Sequence, residues 1–188
     1  RKNIILASGI LANLILIVKG NDLGYESNWL KKQGYFSLIP QLKYLYKRYS
    51  RQIILPIDFS LNVNNKRKNF PLNKAPFRYK ICAVGPLTIE LFKKNLKEVD
   101  SIFMKGPLGF SEYHQFSFGT RKILEHLSKL SKNKKVFTLI GGGHLTSTLD
   151  KYKIPKTFSH ISLSGGSLIK YLSGEKLPGL EALKKSKK

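Results

Sequence analysis

Short apolar runs alternate with stretches of helical periodicity along the 188 residues. The runs are Asn3–Leu6, Gln52–Ile57, Tyr79–Val84, Ser101–Met104, Val136–Ile140 and Phe158–Ser162. Most are continuously apolar, as strands buried on both faces of a parallel sheet are. Between them, Pro86–Leu96 carries Thr88, Ile89, Leu91, Phe92 and Leu96 in helical register, with a proline suited to a first turn. Phe116–Leu130 places Ile123, Leu124, Leu127 and Leu130 on one stripe, and Ser147–Tyr152 and Ser167–Leu172 supply shorter helices. The alternation predicts an α/β fold, doubly wound and Rossmann-like, with a parallel sheet of about six strands and helices on both faces.

Several further features qualify that frame. Residues 62–77 are Asn-rich and punctuated by Pro71 and Pro76, which predicts an exposed loop. The apolar stretch 4–18 is interrupted by Ser8, Gly9 and Asn13 and is too short to span a bilayer, so no membrane partner is expected. The single Cys82 excludes an internal disulfide and offers no metal set, and His160, inside an apolar run, predicts a satisfied core histidine. The chain opens at Arg1 without Met, which reads as a processed or truncated form.

The apolar runs end in glycine-rich turns at Gly106-Pro107-Leu108-Gly109, Gly141-Gly142-Gly143-His144 and Ser164-Gly165-Gly166. In an open α/β sheet those are the positions where ligands bind. With Gly9-Ile10-Leu11-Ala12-Asn13, Leu55-Pro56-Ile57-Asp58-Phe59, Val84-Gly85-Pro86-Leu87-Thr88, Gly106–Glu112, Ser159-His160-Ile161-Ser162 and Leu177-Pro178-Gly179-Leu180-Glu181, they form an ordered series. The series resembles the C-terminal, nucleotide-binding domain of the phosphoglycerate kinase family, over residues 1–183, followed by a basic tail at 184–188. The resemblance implies a nucleotide at the carboxyl ends of the strands, with remnants of its site at Gly106, Pro107, Leu108, Glu112, Gly141, Gly142 and Gly143. Glu112 matches the family's ribose-contacting acid, and Gly106-Pro107-Leu108 a wall of its adenine pocket.

Several chemical positions depart from that family. Ser8-Gly9-Ile10 stands where it has three glycines, and His144 replaces an Asp linked to magnesium-nucleotide binding. Asp-x-Gly-Pro becomes Ala83-Val84-Gly85-Pro86, Asn-Gly-Pro becomes Lys105-Gly106-Pro107, and Thr-Gly-Gly-Gly becomes Leu163-Ser164-Gly165-Gly166. The family's phosphoglycerate-binding half, and the lysine-bearing segment that opens its nucleotide domain, have no counterpart in these residues. Phosphoryl transfer rests on positioning and charge neutralisation, so these differences predict lost kinase activity, no catalytic residue, no metal and at most weak residual ADP or ATP binding.

Charge then directs the expectation. The chain carries 34 Lys+Arg against 11 Asp+Glu, a formal net charge of +23. A whole-domain excess of that size is the electrostatic signature of a polyanion binder. RNA-binding candidates are Lys43, Lys47, Arg48 and Arg51 among tyrosines, Lys66, Arg67 and Lys68, Lys132, Lys134 and Lys135, and Lys184, Lys185, Lys187 and Lys188. No helix-turn-helix, zinc-finger or RNP pattern supports sequence-specific DNA recognition. The expectation is a non-catalytic RNA-binding component of a ribonucleoprotein, an organellar ribosome in the mitochondrial matrix, with ribosomal RNA and neighbouring proteins as partners; cytoplasm and plastid are the other locations. The alternative is a divergent phosphoglycerate kinase or nucleotide-binding module whose phosphoglycerate-binding domain lies on another chain.

Overall fold

The computed structural model describes residues 3–133 and 136–186, in two compact units. Unit 1 comprises the chain to Lys97 together with Pro107–Ile123. Its first elements are β1 (Ile5–Leu6), α1 (Gly9–Val18), α2 (Tyr25–Lys32) and α3 (Ile39–Tyr49). Then come β2 (Ile53–Ile54), β3 (Asp58–Val63), β4 (Lys66–Pro71), β5 (Ile81–Val84) and α4 (Pro86–Asn95). The first turns of α5 (Phe118–Lys132), through Ile123, also belong here.

The strand β1 pairs in parallel with β2, while β3 lies between β4 and β5 and is antiparallel to both. The expected loop over 62–77 is therefore a hairpin as far as Pro71. Asn64 and Asn65 adopt φ of 51° and 62°, the left-handed pair that a two-residue hairpin turn requires, and Asn tolerates that region better than most residues. Polar side chains on β4 face outward because its partner β3 carries the buried face: Phe59, Leu61 and Val63 pack with Leu16, Leu23, Phe77 and Ile81.

Helix α1 is apolar around most of its surface and buries Leu14 and Ile15 against Leu30 and Leu42, from α2 and α3. Among the described residues no helix is long and apolar enough to cross a membrane. Gly24 opens α2 at φ +63°, where a Cβ would run into the backbone of Phe77; the close approach lets the Tyr25 amide donate to the Phe77 carbonyl at 2.8 Å.

Unit 2 comprises Glu98–Gly106 and Leu124–Lys188. It contains β6 (Ser101–Lys105), the remainder of α5, β7 (Phe137–Gly141), α6 (Gly143–Lys151), β8 (His160–Ser162), α7 (Gly165–Leu172) and α8 (Pro178–Ser186). The three strands are parallel in the order β6-β7-β8. Ile140, Leu145, Leu149, Leu124 and Leu127 are fully buried. A chain of hydroxyls ties the strands to α5: the Thr138 hydroxyl donates to Ser131 Oγ at 2.8 Å and accepts from the Ser159 amide at 3.1 Å.

Each of the six expected runs contains a strand, and the class is α/β, doubly wound and Rossmann-like. Hydrogen bonding divides the described strands into three ladders rather than one, and the hairpin adds β3 and β4. His160 is a correction. It opens β8, an edge strand of its ladder, and is exposed, because an edge strand buries only alternate side chains.

Candidate functional site

The parallel strands of unit 2 direct their carboxyl ends at the three glycine-rich turns. Lys105 and Gly141 are register partners at the ends of β6 and β7, and Gly141 pairs in turn with Ser162 of β8. Gly142, at φ +111°, caps α6, and Ser164 caps α7; neither helix has a side-chain cap hydrogen bond. The two helix starts are held against each other. The Gly142 amide donates to the Ser162 carbonyl at 2.9 Å, and a Cβ added at Gly165 would stand 3.2 Å from Gly142 Cα.

A side chain at position 165 would crowd the Gly142 backbone. The first-turn N–H groups of each helix have no partner within it, and both helix dipoles place partial positive charge at this point. Two adjoining N-termini at the ends of parallel strands suit a phosphate-bearing ligand. The cationic side chain closest to the pair is that of Lys105, whose Cε would lie 3.7 Å from a Cβ on Gly165.

The other sequence-derived nucleotide residues fall partly in unit 1. Gly106, at φ +80°, closes β6, while Pro107 begins the segment that returns to unit 1. Leu108 is buried; its amide takes the Thr120 hydroxyl as acceptor at 3.0 Å and its carbonyl accepts from Val84 at 3.1 Å. Gly109 has no room for a side chain against Ala83 and Cys82. Glu112 is exposed in a turn ahead of α5, not in the first turn of that helix. Gly141 and Gly142 sit in the turn described above, and Gly143 starts α6 with open space around it.

Asp58, the acid at the end of the Leu55–Phe59 block, is buried and fully engaged in structure. Its carboxylate accepts from the Leu87 amide at 3.0 Å, the Thr88 amide at 2.7 Å and the Thr88 hydroxyl at 2.6 Å, which caps α4. Gly85 is glycine because any Cβ there would collide with that carboxylate.

A magnesium ion, which the family resemblance implies, demands hard oxygen ligands. Residues 105–106, 141–146 and 162–167 contain no carboxylate, and His144 stands exposed in the first turn of α6. Among the described residues no group of three or more His, Cys, Asp or Glu side chains could hold a metal ion. The donor set of these turns does not fit a protein-ligated magnesium.

The basic candidates are scattered. Lys43, Lys47 and Arg48 lie on α3 and Arg51 just beyond it; Tyr44 points outward while Tyr46 packs on the α1 core. Lys66 and Lys68 are exposed on β4. Arg67 is engaged within unit 1: its Nε donates to Ser60 Oγ at 3.1 Å and Asn69 Oδ1 at 3.2 Å, and its guanidinium lies 4.9 Å from the Phe118 ring centre. Burial pulls that guanidinium below its ordinary range, with the nearby Asp58 charge opposing. Lys132 ends α5, Lys184 pairs with Glu181 at 2.9 Å on α8, and Lys185 follows it. Lys134, Lys135, Lys187 and Lys188 lie outside the described residues. Sequence reasoning treated Lys105 only as a lost asparagine; its closeness to Gly165 becomes visible once β6 and α7 are neighbours.

Comparison with known proteins gives a consistent result. The family model described as phosphoglycerate kinase matches residues 1–175. The phosphoglycerate kinase of Methanococcus maripaludis is 36% identical over 184 residues, covering 97% of this chain and 43% of the relative. That of Thermoplasma acidophilum is 36% identical over 187 residues, covering 98% and 45%. The crystal structure of phosphoglycerate kinase from Pyrococcus horikoshii superposes with a TM-score of 0.87 at 28% identity, covering 97% of this chain and 45% of that one. The chain thus spans less than half the length of these relatives.

These findings overturn the ribonucleoprotein expectation. Relatives named as kinases match nearly the whole chain, and none carries a name that points to RNA or a ribosome. The pseudoenzyme expectation falls with it, and so does the mitochondrial one, since these relatives are archaeal. The physical reason for the error is that net charge reports affinity for anions in general and does not identify the anion.

Proposed function

The chain belongs to the phosphoglycerate kinase family, and from that premise we propose that it is the nucleotide-binding portion of an enzyme transferring a phosphoryl group between a nucleoside di- or triphosphate and a phosphoglycerate. The observation that supports this most is the apposition of Gly142 and Gly165, which brings two uncapped helix N-termini to the carboxyl ends of β6, β7 and β8. Backbone N–H groups fixed there are oriented before the ligand arrives, so they stabilise phosphoryl charge without reorganisation. In-line transfer asks little else of a protein than placement of the two reactants and neutralisation of the equatorial oxygens.

In this proposal Gly141, Gly142, Gly143, Gly165 and Gly166 surround the phosphates. The high positive charge serves a related purpose, because both substrates are polyanions and a basic protein collects them faster. The intact protein should bind ADP saturably in a calorimetric titration and consume ATP only when 3-phosphoglycerate is supplied. Saturable binding without phosphoglycerate-dependent turnover would reduce the proposal to a nucleotide-binding module; absence of both would remove it.

A further inference from the structure

Resting on the nucleotide site just proposed, we infer that Lys105 takes over the charge-neutralising role at the phosphates, so that nucleotide binding here does not require a divalent cation. Two replacements and one distance carry this. Position 144 offers an imidazole where the resemblance calls for a carboxylate linked to magnesium, and no other carboxylate occurs in the three turns. Position 105 offers an ammonium where the resemblance calls for a neutral amide. The Lys105 stem reaches the apposed helix starts, with Cε 3.7 Å from where a Gly165 Cβ would be and the ammonium one bond further on.

The side chain is available for that role. Lys105 is exposed on the last residue of β6, in register with Gly141, so its direction is set by an ordered strand. Among the described residues it joins no ion pair. An ammonium is a compact, strongly charged phosphate ligand and needs no coordination shell of protein oxygens. Losing an acid and gaining a base at one site moves its charge by two units in the direction that a bound cation would have supplied. The two changes compensate each other electrostatically.

The test is calorimetric titration of the intact protein with ADP, once in excess magnesium and once in EDTA, repeated with Lys105→Asn. Lys129→Asn, on the exposed last turn of α5, controls for lost net charge. Circular dichroism checks that both variants fold. The expected result is an ADP dissociation constant that agrees within about threefold between magnesium and EDTA. Lys105→Asn should weaken binding in EDTA by about tenfold or more, the scale of a lost hydrogen bond to a charged group, and Lys129→Asn should leave it unchanged. Binding that needs magnesium overturns the inference while leaving the nucleotide site standing. Lys105→Asn binding as tightly as the parent in EDTA overturns it equally. No ADP binding under either condition removes the site reading on which the inference depends.

Discussion

The Asp58 carboxylate and Thr88 form a tight polar junction in unit 1: Asp58 Oδ1 accepts both the Thr88 amide at 2.7 Å and its hydroxyl at 2.6 Å. The same hydroxyl faces the Asp58 amide at 3.2 Å and the Ile57 amide at 3.0 Å, so one side chain closes the start of β3 onto the start of α4. The acid at the end of the Leu55–Phe59 block is thus architectural.

Asp58→Ala should therefore lower stability by about 1–3 kcal/mol, the cost of leaving buried donors unsatisfied. ADP affinity should stay within error. Denaturant unfolding and titration of the same preparation check the two halves of this statement. A large loss of affinity with stability intact would give Asp58 a binding role instead.

Glu26 provides a pH signature. It is buried on α2, accepts from Asn13 Nδ2 at 3.2 Å, and its other oxygen, Oε2, has no hydrogen-bond partner. Burial raises its pKa above 4.5, opposed by Asn13, by the Lys80 charge and by the Ile81 backbone. The folded state thus holds the proton more tightly than the unfolded chain. This group's contribution favours folding below 4.5 and is lost as pH rises through the raised folded value. Glu26→Gln should be more stable than the parent at pH 7, with the gain vanishing in acid. Thermal melts of both proteins across pH check it; an equal difference at all pH values would contradict it.

Gly165→Val tests the apposition of the helix starts. The added Cβ alone would stand 3.2 Å from Gly142 Cα, tighter than relaxed packing allows, so α7 must shift away from α6. ADP binding should weaken by about tenfold or more, since a misplaced set of N–H groups forfeits at least one charged hydrogen bond. The Gly179→Ala variant on α8, where a Cβ meets nothing within 4 Å, should bind normally.

The hairpin offers a stabilising change. Asn65 holds φ of 62° at its turn, which glycine adopts without steric cost, so Asn65→Gly should raise stability by about 0.5–1 kcal/mol in a thermal melt. That turn was also the clearest missed signal. Asn64-Asn65 between Leu61-Asn62-Val63 and Lys66-Arg67-Lys68 is a two-residue hairpin pattern, but the lysines on β4 masked the strand, because only its partner β3 carries apolar residues inward.

More broadly, the strands were legible where they are buried. Ile81–Val84 reads as an unbroken apolar run and is buried along its whole length. Ser101–Lys105 alternates between buried and exposed positions, yet Phe103 and Ile102 both look like core. The glycine turns could be found in sequence because a Cβ would collide with the Asp58 carboxylate at Gly85 and crowd the Gly142 backbone at Gly165. Which polar residue faces those turns could not be found that way. Lys105 and Gly165 are sixty positions apart, and only parallel pairing through β7 joins them. The charge of +23 pointed correctly to anions and wrongly to RNA, since the field around a basic protein does not distinguish a nucleotide from a nucleic acid.

In the proposed site the ADP phosphates sit on the N-termini of α6 and α7. Amide chemical shifts followed by NMR during an ADP titration of the intact protein address it directly. Saturable shifts are expected at Gly142, Gly143, His144, Gly165, Gly166 and Ser167, with Lys105 among them. A titration that leaves these amides unmoved, or moves a different set, would contradict it.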